Sequence, residues 1–170
     1  MAFVVETGAG LANANAYITV AYFKTYHTDR GNGFSASDKV LEHNIIKATD
    51  YIDQRWRGKF VGFRENITQS LEWPRVSAFY SDGRIAADIP REVQQATAEY
   101  ALRSLTGELA PDPVYDETNR PIREKEEQVG PISERVRYAG EGAVTSFRKY
   151  PLADNLLREL TYLGSELKRV

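Results

Sequence analysis

The chain has 170 residues, no cysteine, a net charge of −2 and a pI near 5.8. Disulfides, Cys-ligated zinc and thiol catalysis are excluded, and so is any general electrostatic attraction to nucleic acid or anionic membrane. A 42% hydrophobic and 11% aromatic content suits a soluble folded protein, either one domain or one domain with an arm.

The opening "MAFVVETGAG" carries no basic leader followed by an apolar core. No run approaches the roughly 20 apolar residues that span a bilayer, so the expectation is a cytoplasmic chain with no membrane partner. Residues 1 to 18 hold Gly8, Gly10, Asn13 and Asn15 and read as an extended, turn-rich entry. Thr19 then caps a short helix with Val20, Phe23 and Tyr26 or His27 on one side, stopped by Gly31 and Gly33. Ser37 begins the clearest element, in which Leu41, Ile45, Ala48, Ile52 and Trp56 recur at helical spacing before Gly58.

The next stretch, "GKFVGFRENITQSLEWPRV", is rich in breakers, Trp73 before Pro74 is extended, and "YSDGR" is a turn signal. Pro90 fits the first turn of a second long helix that continues to Gly107. That helix carries two apolar stripes, one with Val93, Ala96 and Tyr100, the other with Ala98, Ala101, Leu102, Leu105 and Leu109. Burial on more than one side is implied, by the core and by a neighbouring copy.

From Ala110 to Tyr150 prolines and glycines forbid a long helix and charges crowd the middle. In "REKEEQVGPISERVRY" Arg123 and Lys125 alternate with Glu124 and Glu126, while Ile132, Val136 and Tyr138 alternate with Ser133, Arg135 and Arg137. The "VGP" containing Val129 breaks the stretch into two extended segments. Nine residues of strand reach about 30 Å, against a radius of gyration of roughly 16 Å for a compact chain of this length. The segment reads as a ribbon able to reach a neighbour by strand pairing, the plainer reading being a solvated surface ribbon. Pro151 then starts a terminal amphipathic helix with Leu152, Leu156, Leu157, Leu160 and Leu163 on one face.

The expected architecture is therefore mainly α: a small helical bundle over 1–109, an extended two-stranded β-arm over 110–150, and a C-terminal amphipathic docking helix and tail over 151–170.

Chemical motifs are sparse. The two histidines, His27 and His43, sit in no metal spacing, and the glycines lack the context that cradles a phosphate. No Gly-x-Ser-x-Gly elbow occurs, so no catalytic residue, metal or cofactor is expected and the chain does not read as an enzyme. One stretch carries a signal. In "QRWRGKFVGFR" the bases Arg55, Arg57 and Lys59 alternate with Trp56 and Phe60, a pattern that either packs the core with a basic rim or stacks single-stranded nucleic acid.

With these elements placed, the chain resembles the adaptor, or head-tail connector, proteins of tailed bacteriophages. The resemblance is carried by "NANAYITVAYFKTYHTDRG", "IIKATDYIDQRWRGKF", "LEWPR", "IPREVQQATAEYALR", "VGPISERVRY" and "YPLADNLLREL", and spans nearly the whole chain. Similar sequences also carry the label DnaT-like single-stranded DNA-binding protein, the rival reading.

The adaptor resemblance implies a structural protein of the virion neck, assembled in the host cytoplasm. It implies a homo-oligomeric ring, commonly of twelve copies, beneath the portal protein. Such a ring joins a neck or tail-completion protein and passes double-stranded DNA without sequence-specific contact. On that reading Arg123, Lys125, Val129, Ile132, Arg135, Val136 and Tyr138 form the arm's interface with a subunit or neck protein, and the terminal leucines dock to the portal. On the rival reading Arg55, Trp56, Arg57, Lys59 and Phe60 contact single-stranded DNA.

Overall fold

The computed structural model describes residues 2–112, 114–115, 121–128, 133–138 and 148–162. The chain is mainly α and divides into two compact units, Met1–Leu109 with Lys149–Val170, and Ala110–Arg148.

In the first unit, helix α1 (Val20–Thr28) starts where the Thr19 hydroxyl accepts the Tyr22 N–H at 3.0 Å. Helix α2 (Asp38–Trp56) starts at Ser37 and buries Leu41, Ile45, Ala48 and Ile52, the stripe that its 3.6-residue period predicts. Trp56, placed on the same stripe by its spacing, is only half-buried at the helix end. Helix α3 (Arg91–Ser104) begins one residue later than its proline suggests, with Pro90 as the residue before the first turn.

Helix α3 explains its own two stripes. It packs against α1, α2 and a fourth helix, α4 (Pro151–Leu157), so Val93, Ala96 and Tyr100 are buried together with Ala98 and Ala101. The chain's own helices cover both stripes at these positions, and a neighbouring copy is not needed for that burial.

Two short strands, β1 (Phe63–Arg64) and β2 (Arg75–Val76), pair antiparallel between α2 and α3, with Phe63 opposite Val76. Gly62 precedes β1 at φ 71°, where an added Cβ would lie 2.4 Å from the Val76 carbonyl oxygen, so backbone crowding demands glycine there. Trp73, extended before a cis Pro74, is buried edge-on to Phe60.

Several partnered buried polar groups hold these elements in place. Glu6 gathers the N–H groups of Thr7, Gly8, Gly10 and Leu11 at 2.8–3.1 Å, which closes the turn-rich entry. His27 is fully buried between the Ala98 carbonyl, 3.0 Å from Nε2, and the Asn32 side-chain amide, 3.1 Å from Nδ1. An imidazole with the proton on Nε2 satisfies both neighbours, and burial pushes its pKa down. Asp154 of α4 accepts from Arg55 of α2 at 2.7 Å, from the Tyr100 hydroxyl of α3 at 2.5 Å and from the Tyr150 N–H at 3.1 Å. Leu157 and Leu160 then pack fully into the core.

The second unit holds strands β3 (Val114–Tyr115), β4 (Pro121–Gln128) and β5 (Ser133–Tyr138) in an antiparallel sheet of order β3-β4-β5. The register sets Glu124 opposite Arg137 and Glu126 opposite Arg135, with a shift between Ile122 and Glu124. The segments on either side of "VGP" are thus two arms of one hairpin, with a short third strand added to the expected pair. A third strand gives β4 backbone partners on both edges, which a two-stranded ribbon lacks.

Two outcomes follow from the buried groups. Asp154→Ala removes the carboxylate paired with the Arg55 guanidinium, whose side chain is 11% exposed and which keeps its bond to the Tyr51 hydroxyl, and should cost about 3–5 kcal/mol in urea unfolding. Burial pushes the Asp53 carboxyl up to about 7, despite hydrogen bonds from the Tyr17 hydroxyl and the Glu72 N–H and the charge of Arg57; the Glu72 carboxylate raises it further. The folded state therefore keeps a proton that the unfolded chain releases above its ordinary value of 3.8. The stabilisation from this site is complete below that value and is lost as pH rises through about 7. Thermal unfolding across this range should show the decline, and Asp53→Asn should flatten it.

Candidate nucleic-acid interface

After α2 the backbone turns over residues 57–59, with Gly58 at φ 72°, and reaches Phe60. Phe60 points inward, 1% exposed. Here it is met by the chain leaving α4. A single 3₁₀ turn, Arg158–Leu160, brings Thr161 opposite Phe60 as an antiparallel bridge. The Val61 N–H donates to the Leu160 carbonyl at 3.0 Å and the Tyr162 N–H to the Lys59 carbonyl at 2.8 Å. Arg75, a buried guanidinium paired to Glu72 at 3.0 Å, donates to the carbonyls of Val61 and Gly62 at 2.8 and 2.7 Å and fixes the other side of this piece.

The turn signalled by "YSDGR" forms beside it. Phe79 bridges Ile85, the Tyr80 N–H donates to the Arg84 carbonyl at 2.9 Å, and Gly83 closes the turn. Arg84 lies over the Tyr80 ring at 4.7 Å, while the Tyr80 hydroxyl donates to Glu92 at 2.6 Å. Burial and that carboxylate raise the Tyr80 pKa, so the phenol stays a donor.

Between turn and terminal segment lies an open cleft of about 540 Å³, a volume in the range of ligand sites. Val61, Phe79, Ser81, Arg158, Thr161 and Tyr162 line it, with Glu159. Phe79 is 50% and Tyr162 62% exposed, so two aromatic rings face solvent beside an exposed arginine. Lys59, also exposed, adjoins Tyr162 through the backbone bond just described.

The platform suggested by the alternating bases and aromatics is not assembled as one surface. Phe60 is core, and the Arg55 guanidinium is held between Asp154 and the Tyr51 hydroxyl, 2.6 Å away. The Arg57 side chain is exposed but donates to Glu72 at 3.1 Å. Trp56 is half-buried, with the Arg55 guanidinium 5.2 Å and the Lys59 ammonium 5.4 Å from its ring. None of the five lines the cleft; Lys59 adjoins it through its backbone bond to Tyr162, with its ammonium beside the Trp56 ring.

Among the terminal leucines, Leu152 is exposed, Leu156 half-buried, and Leu157 and Leu160 wholly internal, so the last two present no surface for docking in this fold. Leu163 lies outside the described residues. Arg123 and Lys125 fall in β4, and Arg135, Val136 and Tyr138 in β5; Val129 and Ile132 lie outside the described residues. Phe79, Ser81, Arg158 and Tyr162 were not singled out as site residues from the sequence. The turn beside Phe79 was legible, but nothing local indicated that the chain end would close against it.

The whole chain, residues 1–170, matches the family model described as "Putative DnaT-like ssDNA binding protein". No curated protein and no solved structure matches it.

Proposed function

The chain belongs to the family of DnaT-like ssDNA binding proteins, and on that premise we propose that it binds single-stranded DNA. The observation that carries the reading is the exposed face where Arg158 stands beside the solvent-facing rings of Phe79 and Tyr162, with the exposed Lys59 joined to Tyr162 by a backbone hydrogen bond. Cationic groups track a phosphate backbone and aromatic faces accept bases of any identity. With a net charge of −2 the protein as a whole repels DNA, so binding is local, and with few cations at the site it weakens only modestly as salt rises.

Fluorescence anisotropy with a labelled oligonucleotide tests this. Affinity should fall as salt rises, and Lys59→Glu should weaken binding several-fold and lower the slope of log K against log salt by about 0.7. Absence of binding at low salt would overturn the reading.

A second reading, the head-tail adaptor of a tailed bacteriophage, is favoured by a different observation. Phe63 of β1 is 71% exposed and Ile67, on the loop that follows, 99% exposed, and that loop is nonetheless braced. Gln69 is buried and bonds the Asn66 N–H and the carbonyls of Leu71 and Pro74, and Ser70 bonds the carbonyls of Leu11 and Ala14. Apolar side chains held outward on a rigid loop suit a protein partner. In this reading copies form a ring in the virion neck, contacting the portal and a tail-completion protein and letting duplex DNA slide past. Electron microscopy of the purified protein with a portal should show rings, and Ile67→Asp should disperse them; a wild-type protein that stays monomeric with the portal present would contradict it.

A further inference from the structure

We infer that the cleft between the 79–85 turn and the 158–162 segment is a base-stacking site, in which unstacked bases of a single strand lie on Phe79 and Tyr162. The inference rests on the single-stranded DNA reading and gives it a location.

The cleft is built for such an occupant in three respects. Its two rings come from different parts of the chain and remain half or more exposed, although their neighbours Ala78 and Leu160 are fully buried. The backbone that carries them is held by hydrogen bonds, from Tyr162 to Lys59 and through the turn that pairs Phe79 with Ile85, so little backbone order remains to be gained on binding. The exposed hydroxyl of Ser81 offers a polar partner to base edges, the Thr161 hydroxyl, which donates to the Arg158 carbonyl at 2.9 Å, remains an acceptor, and Arg158, with Lys59 adjoining through its backbone bond to Tyr162, offers charge to phosphates.

A base inside duplex DNA presents no free face, so the rings select single strands. Glu159 gives a further constraint. A carboxylate repels phosphate, but it accepts a hydrogen bond from an exocyclic amino group such as that of cytosine. The occupant this chemistry suits is a strand whose bases face Glu159 and whose phosphates face Lys59 and Arg158.

The test uses the full chain and four probes of equal length: oligo(dC), oligo(dT), an abasic strand and a duplex. The wild type should bind oligo(dC) well above the abasic strand and the duplex. Phe79→Ala and Tyr162→Ala should each weaken that binding about tenfold, with circular dichroism and thermal unfolding unchanged because both rings are exposed. Glu159→Gln should narrow the preference for oligo(dC) over oligo(dT). If the wild type binds oligo(dC) and neither aromatic variant loses affinity, the cleft is not the site although the DNA reading stands. If the wild type binds abasic or duplex DNA equally well, stacking is overturned; if it binds no oligonucleotide at low salt, the reading beneath it falls as well.

Discussion

The arrangement of the helical unit depends on one carboxylate. Asp154 meets a guanidinium from α2, a phenol from α3 and an amide at the start of its own helix, so three helices converge on a half-buried charge. A charge in such surroundings is tolerated only when its oxygens are satisfied, which fixes α4 against α2 and α3. Tyr51, Tyr100 and Tyr150 surround this point with ring centroids 4.9–6.0 Å apart and edge-to-face geometry. Because α4 is fixed, the 3₁₀ turn after it lands on residues 59–61, and the terminal segment becomes one wall of the cleft. The site is thus a consequence of a polar contact on the far side of α4's first turn.

Much of the fold was legible because it follows from local patterns. The caps at Thr19 and Ser37, the α2 stripe, the "YSDGR" turn and the break at "VGP" are short-range chemistry. What was not legible required knowing which way an aromatic points. "QRWRGKFVGFR" has the same alternation whether Phe60 faces a base or Trp73, and the core claimed it. The leucines after Pro151 read as an exposed docking face, yet Leu157 and Leu160 complete the core once Asp154 seats the helix. The two stripes of α3 suggested a neighbouring copy because sequence does not show that α4 returns to cover one side.

Charge also acts differently from its sequence pattern. Arg55, Arg57, Arg75 and Arg103 each meet a carboxylate, at 2.7–3.1 Å. Their charge is directed inward, to Asp154, Glu72 and Glu99, and serves the fold rather than a polyanion. Cationic surface near the cleft is correspondingly narrow, and stacking rather than charge must supply most of any affinity there. That division separates this mode of recognition from the basic grooves of duplex-binding proteins, and it is compatible with a chain whose net charge is negative.

The most direct measurement is a map of amide chemical shifts on adding a short single strand. The account predicts shifts at residues 59–61, 79–81 and 158–162, with the interior of α3 unchanged. Shifts confined to the loop around Ile67 or to the strands of the second unit, with Phe79 and Tyr162 silent, would contradict it.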